Sequence, residues 1–394
     1  MKVLILATDI YTRSGIARYT SALAQSLGTM LGAENVEVLC FFSWGQPEDV
    51  RRDFRIIGMV SDRRRAGAVS RLRFLWNALR AGFRGYDLVI ANHVALAPVA
   101  WMLNRIFQTP YWVSCHSIEI WWGTTRARRA ALKHADLILP VSHYTAEVIR
   151  RIEGIESSRV TVLYNAIPDS FDKAFASRES SRIGAGKSTP RLLSVCNLVR
   201  GNEFKGVDTV IRALPALLKV FPDLRCTVVG EGEIRADLQH FAAYTGVSGN
   251  VVFLGEVSDA ELTQQYRDCD VFVLPSRGQQ RGEIGGEGFG RVYVEAALAG
   301  KPVVGSKTGG AAEAVIHGKT GFLVDPESTE EVSRAVLDIL QDSELAARMG
   351  SHGRKWALDN FSEDALSQSL RGLLRGYGFE NERVGELAHA GGQS

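Results

Sequence analysis

Two kinds of stretch alternate along this chain. Short, mainly apolar runs occur at 3–7, 36–42, 88–91, 111–114, 137–141 and 160–164, and again at 192–196, 225–229, 251–254, 271–274, 302–305 and 321–324. Most lack polar alternation, so each predicts a strand buried on both faces. Amphipathic stretches of helical period lie between them, which predicts βα units and parallel sheets. Between Ser177 and Pro190, serine, glycine and charge replace the apolar residues, and a new βα series starts at Arg191. The pattern therefore predicts an α/β fold with two doubly wound domains, over 1–180 and 190–361. A helical stretch over 362–377 follows, then a polar, flexible tail over 378–394.

A length of 394 residues fits two domains, at roughly 100–200 residues each. Hydrophobic content of 45% and charged content of 23% are those of a soluble globular protein. A net charge of +2 gives no global field for nucleic acid, and none is expected as a partner. The five cysteines (Cys40, Cys115, Cys196, Cys226, Cys269) are scattered and form no C-x-x-C pair. Neither a zinc site nor a disulfide framework is indicated, and a reducing compartment is expected. The N-terminal apolar run stops at Asp9, too short for a signal peptide, and reads as a first strand. No stretch approaches the ~18–20 apolar residues that span a bilayer. Together these point to a cytoplasmic protein.

The candidate chemistry gathers where apolar runs end. The apolar run 271–274 leads to Glu287-Gly288-Phe289-Gly290, and Glu295 follows on an Ala-rich helix. Glycines at a strand-to-helix corner let backbone N–H groups approach a ligand, and a helix N-terminus favours anions. Glu287 is expected in the loop and Glu295 about one to two turns into the helix. One carboxylate can then address the reacting part of a ligand while the other grips a hydroxyl-rich part, as a nucleotide sugar would require. Three other strand ends carry candidates. Gly15 follows the first strand, with Ser14 as a helix cap. Asn197, Arg200 and Lys205-Gly206 follow the first strand of the second domain, where fixed cations would stabilise a departing diphosphate. His116 follows the run 111–114, with Trp121 and Trp122 beyond it as a sugar platform or as packing.

The E-x7-E spacing of Glu287 and Glu295, with its Gly-Phe-Gly core, resembles the signature of retaining glycosyltransferases of family 4. The resemblance covers most of residues 2–375. It implies the GT-B fold: two Rossmann-like doubly wound domains facing a central cleft, with a C-terminal helix crossing back to the first. It also implies transfer of a hexose from a nucleotide-diphosphate sugar, with retention and without a metal or other cofactor. By that resemblance Glu287 and the backbone of Gly288, Phe289 and Gly290 bind the transferred sugar, and Glu295 binds the ribose. Lys205 holds the diphosphate, helped by Gly15. Asn197 stands where the family has an arginine, so either Arg200 supplies the missing charge or Asn197 only hydrogen-bonds. His116 contacts the sugar and positions the acceptor. Gly309-Gly310 and Glu313 resemble the family's GG-x-x-E turn.

Between Arg51 and Arg84 ten arginines face only Asp53 and Asp62. Within this stretch Leu72, Leu75, Trp76, Leu79 and Phe83 share a helical face, flanked by Arg71, Arg73, Arg80 and Arg84. Such a helix either packs its apolar face into its own domain or adsorbs to an anionic membrane. The second case suits a lipid-linked or glycan acceptor, as in bacterial surface polysaccharide or lipopolysaccharide assembly at the inner membrane's cytosolic face. Rival readings are a nucleotide-sugar epimerase or a phosphorylase of related architecture, and a non-catalytic protein that binds nucleotide sugar or membrane. The long loop 277–286 is expected to act as a donor-responsive lid.

Overall fold

The apolar runs do become buried strands: all five residues of β1 (Val3–Ala7) are inaccessible to solvent. The computed structural model describes residues 1–12, 14–42, 53–61, 67–121, 124–176, 189–278 and 285–379. The chain divides into two compact units, 1–166 with 363–394, and 167–362.

In the first unit the order is β1, α1 (Gly15–Leu31), β2 (Val36–Phe42), β3 (Arg55–Ser61), α2 (Ala68–Gly82), β4 (Leu88–Ala91), α3 (Ala97–Phe107), β5 (Tyr111–Cys115), α4 (Ile118–Trp121), α5 (Arg126–His134), β6 (Leu137–Pro140) and α6 (His143–Glu153). The second unit runs α7 (Asp169–Ala176), β7 (Arg191–Val195), α8 (Val207–Leu218), β8 (Arg225–Val229), α9 (Arg235–Tyr244), β9 (Val251–Gly255), α10 (Asp259–Asp268), β10 (Val271–Leu274), α11 (Arg291–Leu298), β11 (Val303–Ser306), α12 (Ala311–Ala314), β12 (Gly321–Val324), α13 (Thr329–Gln341) and α14 (Ser343–Phe361). The chain then returns to the first unit as α15 (Glu363–Gly376), whose Leu366, Leu370 and Leu374 enter the same core as Leu23 and Leu27 of α1.

Each unit is a six-stranded parallel sheet with helices, ordered β3-β2-β1-β4-β5-β6 in the first and β12-β11-β10-β7-β8-β9 in the second. The winding reverses between β1 and β4, and between β7 and β10. In open α/β sheets ligands bind outside the carboxyl ends of the strands at such a reversal. Among the described residues, the segments that leave there are 8–12, 14 and 92–96 in the first unit, and 196–206, 275–278 and 285–290 in the second.

Three elements differ from the pattern reading. Residues 160–164 run beside β6 but form only an isolated bridge, Ile138 to Val160. Strand β3 lies in the arginine-rich stretch. It is an edge strand, partly exposed, so its charge and its Gly58 hide the apolar run. Helix α7, within the span read as first domain, packs on α10 and α11 of the second unit. The segment 177–188, most of the tail (380–394) and Trp122 lie outside the described residues. Among the described residues no helix is long and apolar enough to cross a membrane.

Candidate active site

In the second unit, the loops after β7 and β10 bring together two residues 82 positions apart. Lys205 Nζ lies 2.5 Å from Glu287 Oε2, with both side chains largely buried. Backbone geometry creates this meeting. Lys205 ends a short 3₁₀ turn, and Gly206 follows with φ of 78° as the cap of α8. A Cβ on Gly206 would come within 2.2 Å of the Pro275 carbonyl oxygen, so only glycine allows this turn to press against the end of β10. Glu287 is fixed from behind by the Gly309-Gly310 turn, where Gly310 N–H donates to the Glu287 carbonyl at 2.8 Å. Gly310 is itself packed so that a Cβ would meet the Gly288 carbonyl oxygen at 2.0 Å. The two glycine motifs seen in the sequence are thus two sides of one backbone contact.

Arg277 braces the same turn and was not singled out as a site residue by its sequence. Its Nη1 donates to Glu203 O at 2.9 Å and Asp208 Oδ1 at 2.9 Å, and its Nη2 to Asp208 Oδ2 at 2.6 Å and Thr209 Oγ1 at 2.8 Å. Its Nε lies 2.7 Å from Glu327, and its backbone N–H donates to Phe204 O at 2.6 Å. The 203–209 turn therefore hangs on one buried guanidinium. Gly286, at φ of 107°, closes the base of the 277–286 loop against the Arg277 carbonyl. Residues 279–284 of the expected lid lie outside the described residues.

Glu295 sits inside α11, only 6% exposed. Tyr266 donates its hydroxyl to Glu295 Oε2 at 2.9 Å, and Arg291 Nη2 lies 3.5 Å from Oε1. These two partners fix the orientation of the carboxylate. The Phe289 side chain faces the interior against Phe361, with ring centroids 5.1 Å apart, so its part at the loop surface is its backbone. Asn197 and Arg200 are both exposed. The Arg200 backbone N–H is tied to Glu233 at 3.2 Å. Beside the Lys205–Glu287 pair, burial pushes the Cys196 thiol up to about 12, Lys205 opposing the shift and Glu287 adding to it.

In the first unit, His116 lies at the end of β5, 7% exposed, with Nε2 3.0 Å from the Asn92 carbonyl oxygen. Tyr19 of α1 packs edge-on to its ring at 5.1 Å. Glu119 accepts from the backbone N–H groups of His116 at 2.6 Å and Ser117 at 3.0 Å. Burial opposes ionisation of Glu119, but the charges of His116 and His93 and its N–H partners hold it below the usual carboxylate range. His93 lies 6.3 Å from His116, ring to ring. It follows β4 as His116 follows β5, a signal present in the sequence that the single-motif reading passed over. Gly15 is exposed at the first turn of α1, which Ser14 caps by accepting from Ala17 N–H at 3.2 Å. Asp9 turns the preceding loop by accepting from Tyr11 and Thr12 N–H groups. Outside these clusters, Arg71, Arg73, Trp76 and Arg80 are exposed on α2, whereas Arg84 is ion-paired to Glu37 at 2.9 Å.

Loss of hydration pushes the His93 pKa down to about 4, with His116 adding to the shift and Glu119 opposing it. An unfolded chain takes up this proton near pH 6.5, whereas the folded protein takes it up only near pH 4. Folding stability is therefore expected to fall as pH drops through that window. His93→Gln should flatten the fall in thermal unfolding temperature between neutral pH and pH near 4.5. An unchanged fall in the variant would show that His93 is not its source.

Sequence comparison decides the family. A profile described as Glycosyl transferases group 1 matches residues 179–356, and one described as Glycosyltransferase Family 4 matches residues 13–171. The chain is 36% identical over 269 residues to a GDP-mannose-dependent alpha-(1-6)-phosphatidylinositol monomannoside mannosyltransferase of Mycolicibacterium smegmatis, covering 67% of this chain and 69% of the relative. The chain belongs to glycosyltransferase family 4. A second relative of this glycosyltransferase is the GDP-mannose-dependent monoacylated alpha-(1-6)-phosphatidylinositol monomannoside mannosyltransferase of Corynebacterium glutamicum, 29% identical over 71% of this chain and 74% of the relative. In fold the enzyme matches HepE of Anabaena, whose structure was solved in complex with UDP, with a TM-score of 0.74 at 20% identity. That match covers 95% of this chain and all of HepE. It also matches the lipopolysaccharide outer core galactosyltransferase WaaB, with a TM-score of 0.72 at 15% identity over 96% of this chain and 100% of WaaB. The enzyme has the GT-B fold expected from its sequence.

Proposed function

We propose that this glycosyltransferase moves a mannosyl residue from GDP-mannose to a lipid-borne acceptor, with retention at the anomeric carbon and without an added divalent cation. The buried Lys205–Glu287 pair at the β7/β10 reversal carries the reading. On donor binding, Lys205 exchanges its single carboxylate partner for the diphosphate, where negative charge grows as the glycosidic bond breaks. Glu287, released from the lysine, accepts hydrogen bonds from the hexose hydroxyls, and Glu295 accepts from the ribose. Arg200 and Asn197 lie at the exposed edge of the same second-unit loop as Lys205. The acceptor binds the first unit at the carboxyl edge of β1, β4 and β5, where His116 positions its hydroxyl. The hydroxyl attacks from the side the diphosphate leaves, and the departing phosphate oxygen takes its proton.

GDP-mannose and a phosphoinositide-type glycolipid are supported by the names of the mycobacterial and corynebacterial relatives. They favour such an acceptor over the lipopolysaccharide that the sequence alone suggested. A lipid acceptor together with a nucleotide-sugar donor supports work at the cytosolic face of the membrane. Calorimetry with GDP-mannose and UDP-glucose is the direct test. Binding of GDP-mannose at least about tenfold tighter is expected, a gap of about 1.4 kcal/mol. Equal or tighter binding of UDP-glucose would overturn the donor assignment.

A further inference from the structure

Helix α2 carries two apolar faces, and its own domain uses the smaller one. Phe74, Ala78, Ala81 and Gly82 are buried, and Gly82 lies so close to α3 that a Cβ there would strike the Phe107 ring. The face formed by Val69, Leu72, Leu75 and Trp76 points the other way, and Phe83 at the helix end lies beside it, edge-on to Phe107. Val69, Leu72, Trp76 and Phe83 are 70, 65, 61 and 77% exposed. The residues of the face recur at spacings of three and four, the signature of one helical stripe. A stripe of this size normally marks an interaction site. The sequence left open whether this face packs inward. It does not, because small residues on the opposite side allow the helix to lie closer to α3 than leucine or tryptophan would.

Charge identifies the occupant. At 100° per residue, Arg73 and Arg80 flank one side of the stripe and Arg71 the other, and all three are exposed. Arg84 is held by Glu37 and takes no part. No Asp or Glu occurs between Arg63 and Tyr86. A protein partner of mixed surface would not require an unbroken run of one sign. An apolar stripe between two arginine rows matches a lipid surface, where side chains enter the acyl boundary and guanidinium groups meet phosphates.

We propose that α2 docks the first unit onto an anionic phospholipid membrane, lying in the interface plane with Leu72, Trp76 and Phe83 inserted and Arg71, Arg73 and Arg80 on the headgroups. The inference stands on α2 and does not depend on the identity of the sugar donor. The test is co-sedimentation of the full-length protein with vesicles of phosphatidylcholine alone and of phosphatidylcholine mixed with phosphatidylglycerol. Binding is expected to the mixed vesicles, to weaken with salt, and to be slight on phosphatidylcholine. Leu72→Ser with Trp76→Ser should lower the bound fraction at least about tenfold, and so should joint replacement of Arg71, Arg73 and Arg80 by glutamine. All five positions are exposed, so thermal unfolding and calorimetric donor binding should be unchanged in both variants. No binding of the wild type to either vesicle, or equal binding by the variants, would overturn the proposal. So would self-association abolished by the Leu72/Trp76 change, which would make the stripe an interface between copies.

Discussion

Lys205→Met and Glu287→Gln are each expected to lower the transfer rate by about 10²–10³-fold or more, the loss seen when one preorganised charge-stabilising group is removed. The two changes should also destabilise the protein, because each leaves the partner's group largely buried without its counter-charge. The double variant separates the two effects. With both charges gone, the penalty of an unpaired buried group disappears and stability should return toward wild type, a coupling of about 0.5–3 kcal/mol in a double-mutant cycle. Transfer should stay lost, since neither the diphosphate nor the hexose has its partner. Thermal unfolding and single-turnover transfer on the four proteins provide the readout. Near-normal turnover in the double variant would show that the pair is structural only.

Arg277→Met should lower stability by about 1–3 kcal/mol, the cost of leaving hydrogen-bond partners of a buried group unmade, because its carboxylate partners Asp208 and Glu327 stay partly hydrated at 30 and 65% exposure. The guanidinium is 8% exposed and serves Asp208, Thr209, Glu203 O and Glu327 together. Removing it leaves Asp208 to its surface partner Arg212 and leaves the Glu203 carbonyl without this donor. Donor affinity should fall as well, because the unbraced turn no longer presents Lys205. Arg277→Lys should not rescue either property: an ammonium cannot span two carboxylates and a hydroxyl with a planar fork. Scanning calorimetry with and without donor measures both effects. A loss below about 1 kcal/mol, the level of an exposed ion pair, would show that the network is dispensable.

Much of this enzyme was legible in one dimension. The parallel sheets follow from unalternated apolar runs, and the division into two βα units follows from a series interrupted once. The Glu287 and Glu295 spacing, the Lys205-Gly206 step and the position of His116 after a strand all name groups whose role depends on local geometry: a loop, a helix turn, a strand end. Such geometry is set within a few residues, and sequence reports it directly.

Other features had no local signal. Arg277 reads as the first residue of a polar loop, and only the fold lays it under a turn some seventy positions earlier in the chain. The sequence offered two faces for α2 without saying which would pack. Close approach to α3 at Gly82 and Phe107 decided it, leaving the larger, leucine-rich face outside. Strand β3 escaped because an edge strand need bury little. By itself the sequence determined most of the elements, the family and the residues at the strand ends. Tertiary structure alone decided which groups meet, because Lys205 and Glu287 become neighbours only when β7 and β10 lie side by side. That adjacency is settled by sheet pairing and core burial over the whole unit, a cooperative property that no short window of residues contains.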